Sequence, residues 1–266
     1  MNSATFTKRT VGLLIVFWLT TIAEAKDNDC PRTGTLGTSR VLTVDAKAYP
    51  RVGLKSFAQT LPLAEKEVVL TFDDGPFPAT TSKILAALAH ECVRATFFLI
   101  GRSAEANPLI VKRIADAGHS IGHHTWSHPI LSKISQAAAL KDIDRGIDAD
   151  ELALHATTKD NASARFFRFP GFASTPALWE TLKSRGIVVF GADLWASDWN
   201  VMSPQQELRL ITSRLDNARK GIILLHDTKT QTANMLPAFL QYLRKNGYKV
   251  VHVAPAAANK SASDEK

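Results

Sequence analysis

Residues 68–76, VVLTFDDGP, join a short apolar run to two adjacent carboxylates, Asp73 and Asp74, and then to a Gly-Pro break. Successive side chains of a β-strand point to opposite sides, and Gly75-Pro76 ends the strand. The two acids can therefore diverge at the C-terminal edge of a sheet, one toward a metal and the other toward a proton. Taken alone, the stretch is more typical of a polar Asp-Gly turn, so its meaning depends on the rest of the chain.

Length and composition are those of a globular protein, either one α/β domain or two small ones. The chain has 266 residues, of which 45% are hydrophobic and 21% charged. Its net charge of +7 comes from scattered Lys and Arg, which favours solubility and attraction to acidic envelope polymers but gives no support for nucleic-acid binding. The chain has two cysteines, Cys30 and Cys92. They could pair if the chain is exported, or Cys92 could be a buried free thiol.

The N-terminus predicts export. Lys8-Arg9 precede an apolar run over residues 11–22, and Ala23-Glu24-Ala25 follow as a small-residue cleavage site. This pattern is typical of a secretory signal peptide, residues 1–25, and the run is short for a transmembrane helix. We therefore expect a periplasmic or extracellular protein, attached to a membrane only if the segment stays uncleaved.

The rest of the chain predicts a single α/β domain with parallel strands. Residues 26–66 lack periodicity and are expected to form an irregular arm, and residues 254–266 a disordered tail. Between them, over 67–253, apolar runs alternate with amphipathic segments, as in βαβ units of a barrel or a doubly wound sheet. The predicted strands are 68–72, 95–100, 120–124, 166–169, 188–192, 221–225 and 249–253, and the predicted helices are 80–90, 104–117, 135–153, 176–184, 204–217 and 235–245.

Polar residues recur where these strands end, which is where α/β folds gather reactive groups. His124 and His128 are four residues apart, so both can reach one ion from a helical turn or a tight loop. With Asp74 they form a set of two nitrogens and a carboxylate that suits catalytic zinc with an open position. His123 should point away from them if strand alternation persists.

A competing motif is Gly118-His119-Ser120-Ile121-Gly122, which fits the Gly-x-Ser-x-Gly nucleophile elbow. The chain order permits a triad of Ser120, Asp198 and His226. An elbow needs a strand before the serine and a helix after it, whereas here the predicted helix comes first. The serine esterase is therefore the second hypothesis.

Five segments together resemble the ordered motifs of the polysaccharide deacetylases of carbohydrate esterase family 4. They are TFDDGP at 71–76, HTWSHP at 124–129, RFP at 168–170, DW at 198–199 and LLHD at 224–227. The resemblance covers roughly residues 67–253. It implies a distorted (β/α) barrel of about seven parallel strands in a single domain, which agrees with the strand count above.

The resemblance also implies a mechanism. Asp74, His124 and His128 would hold a divalent metal, with zinc the expected ion, that acts as a Lewis acid on water and the acetyl carbonyl. Asp73 would be the general base, and Arg168 would pair with it to keep it ionised and oriented.

The remaining implied roles concern the leaving group and the substrate. His226 would protonate the departing amine, and Asp198 would hydrogen-bond His226 and favour its charged form. The backbone N–H of Gly171 would stabilise the oxyanion. The acetyl methyl group would lie against Trp199 and Leu224.

Three features leave alternatives open. Gly171 occupies a position where the family commonly has an aromatic residue, and Phe172 comes next. Asp193 could replace Asp198, because both lie near the end of one strand. Asp227 could cap the following helix rather than take part in chemistry.

The sequence thus predicts an exported, metal-dependent deacetylase acting on an acetylated polysaccharide or oligosaccharide. Peptidoglycan, chitin-like oligosaccharide and exopolysaccharide all remain open, as does an O-acetyl instead of an N-acetyl group. A carbohydrate-binding protein without catalysis is the hypothesis from another class.

Overall fold

The computed structural model describes residues 1, 30, 32–155 and 164–256. Within these ranges ten strands form one sheet, and every strand pair is parallel. The strands are β1 (Thr38–Val44), β2 (Arg51–Val52), β3 (Glu67–Asp73), β4 (Thr96–Leu99), β5 (Ser120–His123), β6 (Phe166–Phe167), β7 (Val188–Phe190), β8 (Leu194–Trp195), β9 (Gly221–His226) and β10 (Lys249–Pro255). The helices are α1 (Pro78–His90), α2 (Gly101–Ala106), α3 (Pro108–Asp116), α4 (Gln136–His155), α5 (Pro176–Ser184), α6 (Pro204–Ala218) and α7 (Thr230–Lys245), with short 3₁₀ turns at Leu131–Lys133 and Pro170–Phe172.

Strand β3, which carries the opening motif, lies in the middle of the sheet. It pairs with β4 and β9 and is buried along its whole length. Val68 packs into the large apolar cluster formed with the helices, whereas Val69 packs into the cluster inside the sheet with Phe98 and Ile222. Because both faces are covered, residues 68–70 are apolar without alternation. The predicted distorted (β/α) barrel in a single domain is confirmed.

All seven predicted strands are present, but the sheet contains three more, β1, β2 and β8. Two of them lie within residues 26–66, so the predicted arm is not irregular throughout: β1 pairs with β10, and β2 pairs with β7. Strand β1 is mostly half-buried or exposed, which explains its mixed polarity, and β2 and β8 have two residues each. Elements this short or this exposed leave almost no hydrophobic pattern in a sequence.

The predicted helix 104–117 is two helices. α2 ends before Asn107, whose φ of −138° and ψ of 52° are not helical, and α3 begins at Pro108. Proline lacks an N–H and disfavours a helical residue before it, so it starts a helix more readily than it continues one.

The two cysteines are bonded to each other, and the last strand extends into the predicted tail. Cys30 and Cys92 form a disulfide with a Cα–Cα distance of 5.6 Å, which excludes the free-thiol alternative. Apart from Met1, the predicted signal peptide lies outside the described residues, and so do residues 257–266 of the predicted tail. Strand β10 extends to Pro255, two residues into that tail. Among the described residues, no helix has the length and apolar character needed to cross a membrane.

Candidate active site

The predicted site residues meet at the carboxyl end of the central strands. Asp73 lies directly opposite His226 in the register of β3 with β9. His124 follows the end of β5, and Arg168 follows the end of β6. Because these strands are parallel, their C-terminal ends open on the same side of the barrel.

Asp74, His124 and His128 form a cluster whose ligand atoms all lie within 4.8 Å of one another. Asp74 Oδ1 is 3.5 Å from His124 Nε2 and 3.3 Å from His128 Nε2. This oxygen is buried and has no hydrogen-bond partner among the described residues, although buried carboxylate oxygens normally have one. Zinc and related divalent cations accept a donor set of two imidazoles and one carboxylate. The residues present therefore fit a divalent cation.

The protonation of His124 also suits a ligand. Burial lowers the pKa of His124 to about 3, so its imidazole is neutral at physiological pH. Its Nδ1 lies 2.7 Å from the carbonyl oxygen of Arg168 and must carry the proton, since a carbonyl only accepts. The lone pair is therefore on Nε2, the nitrogen that faces Asp74. A hydrogen bond of this kind fixes the tautomer and orientation of metal-binding histidines.

A tight loop, rather than a helical turn, brings His128 back toward His124. Thr125 and His128 both have positive φ angles, of 66° and 62°, which ordinary side chains rarely adopt. The carboxylate of Asp142 on α4 accepts hydrogen bonds from the N–H groups of residues 126 and 127 and from the Ser127 hydroxyl. Gly146 lies so close to this loop that a Cβ there would come within 2.5 Å of Thr125. Helix α4 therefore holds the loop in its strained form.

Asp73 and Arg168 form a buried ion pair inside the barrel. Arg168 Nη1 donates to Asp73 Oδ1 at 2.6 Å, and its other contacts include Thr71 and the face of the Phe98 ring. Both residues are almost fully buried, with 3% of Asp73 and none of Arg168 exposed. Burial raises the pKa of Asp73, while the charge of Arg168 opposes that rise. Asp73 Oδ2 has no hydrogen bond from a described residue and lies 3.9 Å from His124 Nε2. The pair thus orients one free carboxylate oxygen toward the metal-type cluster.

His226 and Asp198 form the second charged pair. Asp198 Oδ1 lies 2.7 Å from His226 Nδ1, and Asp198 Oδ2 accepts from the backbone N–H of His226 at 2.7 Å. Burial lowers the pKa of His226, but the hydrogen bond and charge of Asp198, together with other nearby carboxylates, outweigh it and raise the pKa to about 9. Its free nitrogen, Nε2, is 4.0 Å from Asp74 Oδ2. A protonated imidazole therefore faces the same space as Asp73.

Comparison with known proteins agrees with this geometry. Residues 61–190 match the sequence model of the family described as polysaccharide deacetylase. A peptidoglycan-N-acetylglucosamine deacetylase of Bacillus cereus is 34% identical over 203 residues, which cover 73% of this chain and 89% of that protein. The chain belongs to the polysaccharide deacetylase family.

Two further relatives show the range within this family. A chitooligosaccharide deacetylase of Azorhizobium caulinodans is 34% identical over 164 residues, or 61% of this chain and 74% of that protein. The solved structure of a peptidoglycan deacetylase from Bdellovibrio bacteriovorus is similar with a TM-score of 0.72 and 28% identity over 84% of this chain. The chain spans 60% of the length of that structure.

The residues that the family resemblance placed near the substrate lie around the same opening. Leu224 is buried on β9, two residues before His226 and hence on the same side of the strand. Trp199 is 49% exposed, and its ring lies 6.0 Å from that of His226. Gly171 has a positive φ of 57°, and no described residue accepts a hydrogen bond from its N–H. This N–H is therefore available to a ligand, while the roles of all three residues stay predictions.

The serine triad of the second hypothesis is not formed. Ser120 begins β5, whereas His226 ends β9, so in parallel strands the two lie at opposite ends of the barrel. The Ser120 hydroxyl donates to the carbonyl oxygen of Val253 at 2.6 Å and lies 3.2 Å from His252 Nε2. The Gly-x-Ser-x-Gly match is thus an accident of a helix-to-strand connection.

Three side chains that the sequence left as alternatives in the site, His123, Asp193 and Asp227, make structural contacts instead. His123 points away from the cluster, as predicted, and lies 2.8 Å from a carboxylate oxygen of Asp150. Asp193 accepts hydrogen bonds from the backbone after β2, from Thr60 and from the start of β9, so it does not replace Asp198. Asp227 does not cap α7, whose N-cap is Lys229. It accepts instead from the Thr81 hydroxyl on α1.

Sequence reasoning missed the residues that support the site. Asp142 holds the histidine loop, and the Thr232 hydroxyl lies 2.8 Å from Asp198 Oδ2. Glu207, which is fully buried, lies 3.0 Å from the same hydroxyl. All three are on helices, at positions where polar residues are normally solvated. The sequence carries no signal for these three residues, because only the structure shows that Glu207 is buried within its amphipathic helix.

Proposed function

We propose that the chain is an exported, metal-dependent deacetylase that hydrolyses acetyl groups, N-acetyl groups in the first place, on a sugar polymer. One observation carries the proposal. A donor set for a divalent cation, a buried carboxylate with a free oxygen and a protonated histidine converge on one opening of the barrel. Relatives named for peptidoglycan and for chitooligosaccharides support an acetylated glycan as the substrate class, which leaves exopolysaccharide as a further option.

The metal-type cluster and Asp73 activate the attack. Asp74, His124 and His128 would hold a divalent cation, with zinc the expected ion, which would supply Lewis acidity to the acetyl carbonyl and to water. Asp73 Oδ2 takes the proton from the attacking water, since Oδ1 is engaged by Arg168. A raised pKa improves Asp73 as a base near neutral pH, and Arg168 limits that rise so that the carboxylate stays available.

His226 and Gly171 act on the other side of the acetyl group. His226 Nε2 carries a proton at neutral pH, because Asp198 holds the opposite nitrogen, and it delivers this proton to the amine as the C–N bond breaks. The free N–H of Gly171 can donate to the oxyanion of the tetrahedral carbon. The two titratable groups have opposite protonation states at the same pH, which a base and an acid in one turnover require.

Export rests on the N-terminal pattern and on the disulfide. A basic start, an apolar run and an Ala-x-Ala site are typical of a secretory signal peptide. The pairing of Cys30 with Cys92 supports an oxidising compartment, because cytosolic thiols are normally kept reduced. The periplasm or the cell exterior is therefore the proposed location.

The deciding experiment is acetate release from N-acetylglucosamine oligomers by the mature protein, before and after chelation and after zinc is added back. The proposal expects activity that chelation abolishes and zinc restores. Activity that is indifferent to chelation would exclude metal dependence. If no acetylated glycan, neutral or acidic, yields acetate from zinc-loaded protein, the chain is a binding protein with the family fold.

A further inference from the structure

Three aromatic rings extend from His226 along the mouth of the barrel, and we call Phe172, Trp195 and Trp199 the aromatic ledge. The ring of Trp199 lies 6.0 Å from His226, and that of Trp195 lies 5.9 Å from Trp199. Phe172 stacks on Trp195 with 6.2 Å between the ring centres. Trp199 is exposed and the other two are half-buried. Aromatic faces of this kind bind the C–H faces of sugars. The sugars next to the reacting one can therefore lie along the aromatic ledge.

A pocket of about 370 Å³ opens beside the ledge. Its lining includes Lys55, Asp193, Trp195 and Arg214. Lys55 comes from the segment after β2, and Arg214 from α6. Residues from distant parts of the chain thus place two cations at one pocket, which we call the cationic pocket.

Both cations contact Trp195 and still have N–H groups that can donate hydrogen bonds. Lys55 Nζ lies 5.2 Å from the centre of the Trp195 ring, within the range of a cation–π interaction. Arg214 Nη1 donates to the carbonyl oxygen of Trp195 at 2.6 Å and to the Ser197 hydroxyl at 2.8 Å. Across the described ranges, only Nη1 of Arg214 has an acceptor, and neither cation forms an ion pair with a carboxylate. Each can therefore donate to an acceptor brought by a ligand.

The charge of the pocket indicates which acceptor fits. Asp193 also lines it, but its two carboxylate oxygens already accept hydrogen bonds from Leu54, Thr60 and Ile222. Two cations and one engaged carboxylate leave a net charge of about one positive unit. A single carboxylate neutralises that charge, whereas a phosphate dianion would exceed it. Guanidinium and ammonium groups bind carboxylates through short, charge-assisted hydrogen bonds.

We propose that the cationic pocket is a subsite for a carboxylate on the sugar polymer, borne by a sugar near the one that loses its acetyl group. Lys55 and Arg214 bind the acid, and the aromatic ledge supports the intervening sugar. The inference rests on the proposed function, because that function supplies the glycan. Such a subsite would make the enzyme selective for acidic polymers over neutral ones. Two sources carry this chemistry: a lactyl ether, as on muramic acid, and a uronic acid.

The test compares three oligosaccharides of equal length by calorimetry. One is a neutral N-acetylglucosamine oligomer, one alternates with lactyl-ether sugars and one alternates with uronic acids. Zinc-loaded protein with Asp73→Asn is used in every titration, so that turnover is negligible while the heat of binding is measured. Lys55→Met is added to this background, and Lys47→Met, which removes the same charge from an exposed lysine of the same N-terminal segment, is the control.

We expect at least one acidic oligosaccharide to bind about tenfold more tightly than the neutral one. Lys55→Met should reduce that ratio about tenfold, Lys47→Met should preserve it, and added salt should weaken it. The acid that binds more tightly identifies the source. Equal affinities for all three ligands, or an unchanged ratio in Lys55→Met, would overturn the subsite. Acetate release by the unsubstituted protein from the neutral oligomer tests the proposed function separately, because the binding ratio requires no catalysis.

Discussion

Replacement of Asp142 should weaken metal binding although this residue contacts neither the metal-type cluster nor the substrate opening. Its carboxylate accepts from the backbone N–H groups of Trp126 and Ser127 at 2.9 and 3.0 Å and from the Ser127 hydroxyl at 2.6 Å. These two residues lie between His124 and His128. Asp142→Ala removes all three hydrogen bonds, and the backbone bond from Trp126 to the carbonyl of residue 142 remains.

The expected magnitude follows from the loop. Thr125 and His128 are held at positive φ angles, and each such residue costs about 1–2 kcal/mol relative to an ordinary conformation. Without Asp142 the loop can relax, and metal binding must then restore its strained form. A cost of about 2 kcal/mol corresponds to roughly a 30-fold loss of affinity, which agrees with the 10–100-fold typical of residues that orient metal ligands. The free energy of unfolding should fall as well, by about 3 kcal/mol, because each of the three lost hydrogen bonds contributes about 1 kcal/mol.

Zinc affinity is measured by competition with a chelating dye, and folding by circular dichroism and urea unfolding. Asp142→Asn keeps one acceptor oxygen for the two N–H groups and can donate to Ser127, so its affinity should stay within a few-fold of the parent. Asp148→Ala, on the exposed side of the same helix, is the control. Zinc affinity of Asp142→Ala within twofold of the parent, or an equal loss in Asp148→Ala, would refute the loop-holding role.

Four further outcomes follow from the structure. Asp73→Asn should retain zinc and lose activity about a thousandfold, so a fully active variant would exclude Asp73 as the base. His128→Ala should lose zinc and activity together, and a fully metallated, active protein would remove it from the ligand set. Activity should decline at high pH as His226, with its pKa raised to about 9, loses its proton. Asp198→Asn lowers that pKa and should move the alkaline decline of the pH–rate profile to lower pH. An unmoved profile would contradict the role of His226 as the proton donor. Cys92→Ser removes a disulfide that joins residues with a sequence separation of 62. On the chain-entropy model, the free energy of unfolding measured in urea should fall by about 4 kcal/mol. A urea unfolding midpoint that does not change would contradict the disulfide.

The fold was predictable where the sequence carries strong periodicity. Strand β3 and its neighbours are buried on both faces, so their apolar runs stand out, and parallel pairing follows from their alternation with helices. Strand β1 was not predictable, because one side of it faces solvent and its mixed polarity is the same as that of a loop. The pairing of Cys30 with Cys92 was also open, because two cysteines give no pattern from which to infer a bond.

The candidate site divides in the same way. Asp74, His124 and His128 were predictable because a short spacing and the ends of parallel strands bring them together with little freedom. The Ser120 motif was already disfavoured in sequence by the predicted helix before it, and its position at the opposite end of a strand excludes it. Asp193 and Asp198 were indistinguishable in sequence, since only four residues lie between them. Their hydrogen bonds alone assign Asp193 to structure and Asp198 to His226.

The sequence by itself determined the fold class, the residues that carry charge at the barrel mouth and the spacing of the two histidines, because these depend on local pattern and on the chain order of strands. Tertiary structure alone decided the contacts of Asp142, the free oxygen of Asp73 and the meeting of Lys55 with Arg214. Each of these joins segments far apart in the chain. Such contacts depend on packing between elements, and a side chain on a helix has the same identity whether it meets water or a buried backbone N–H.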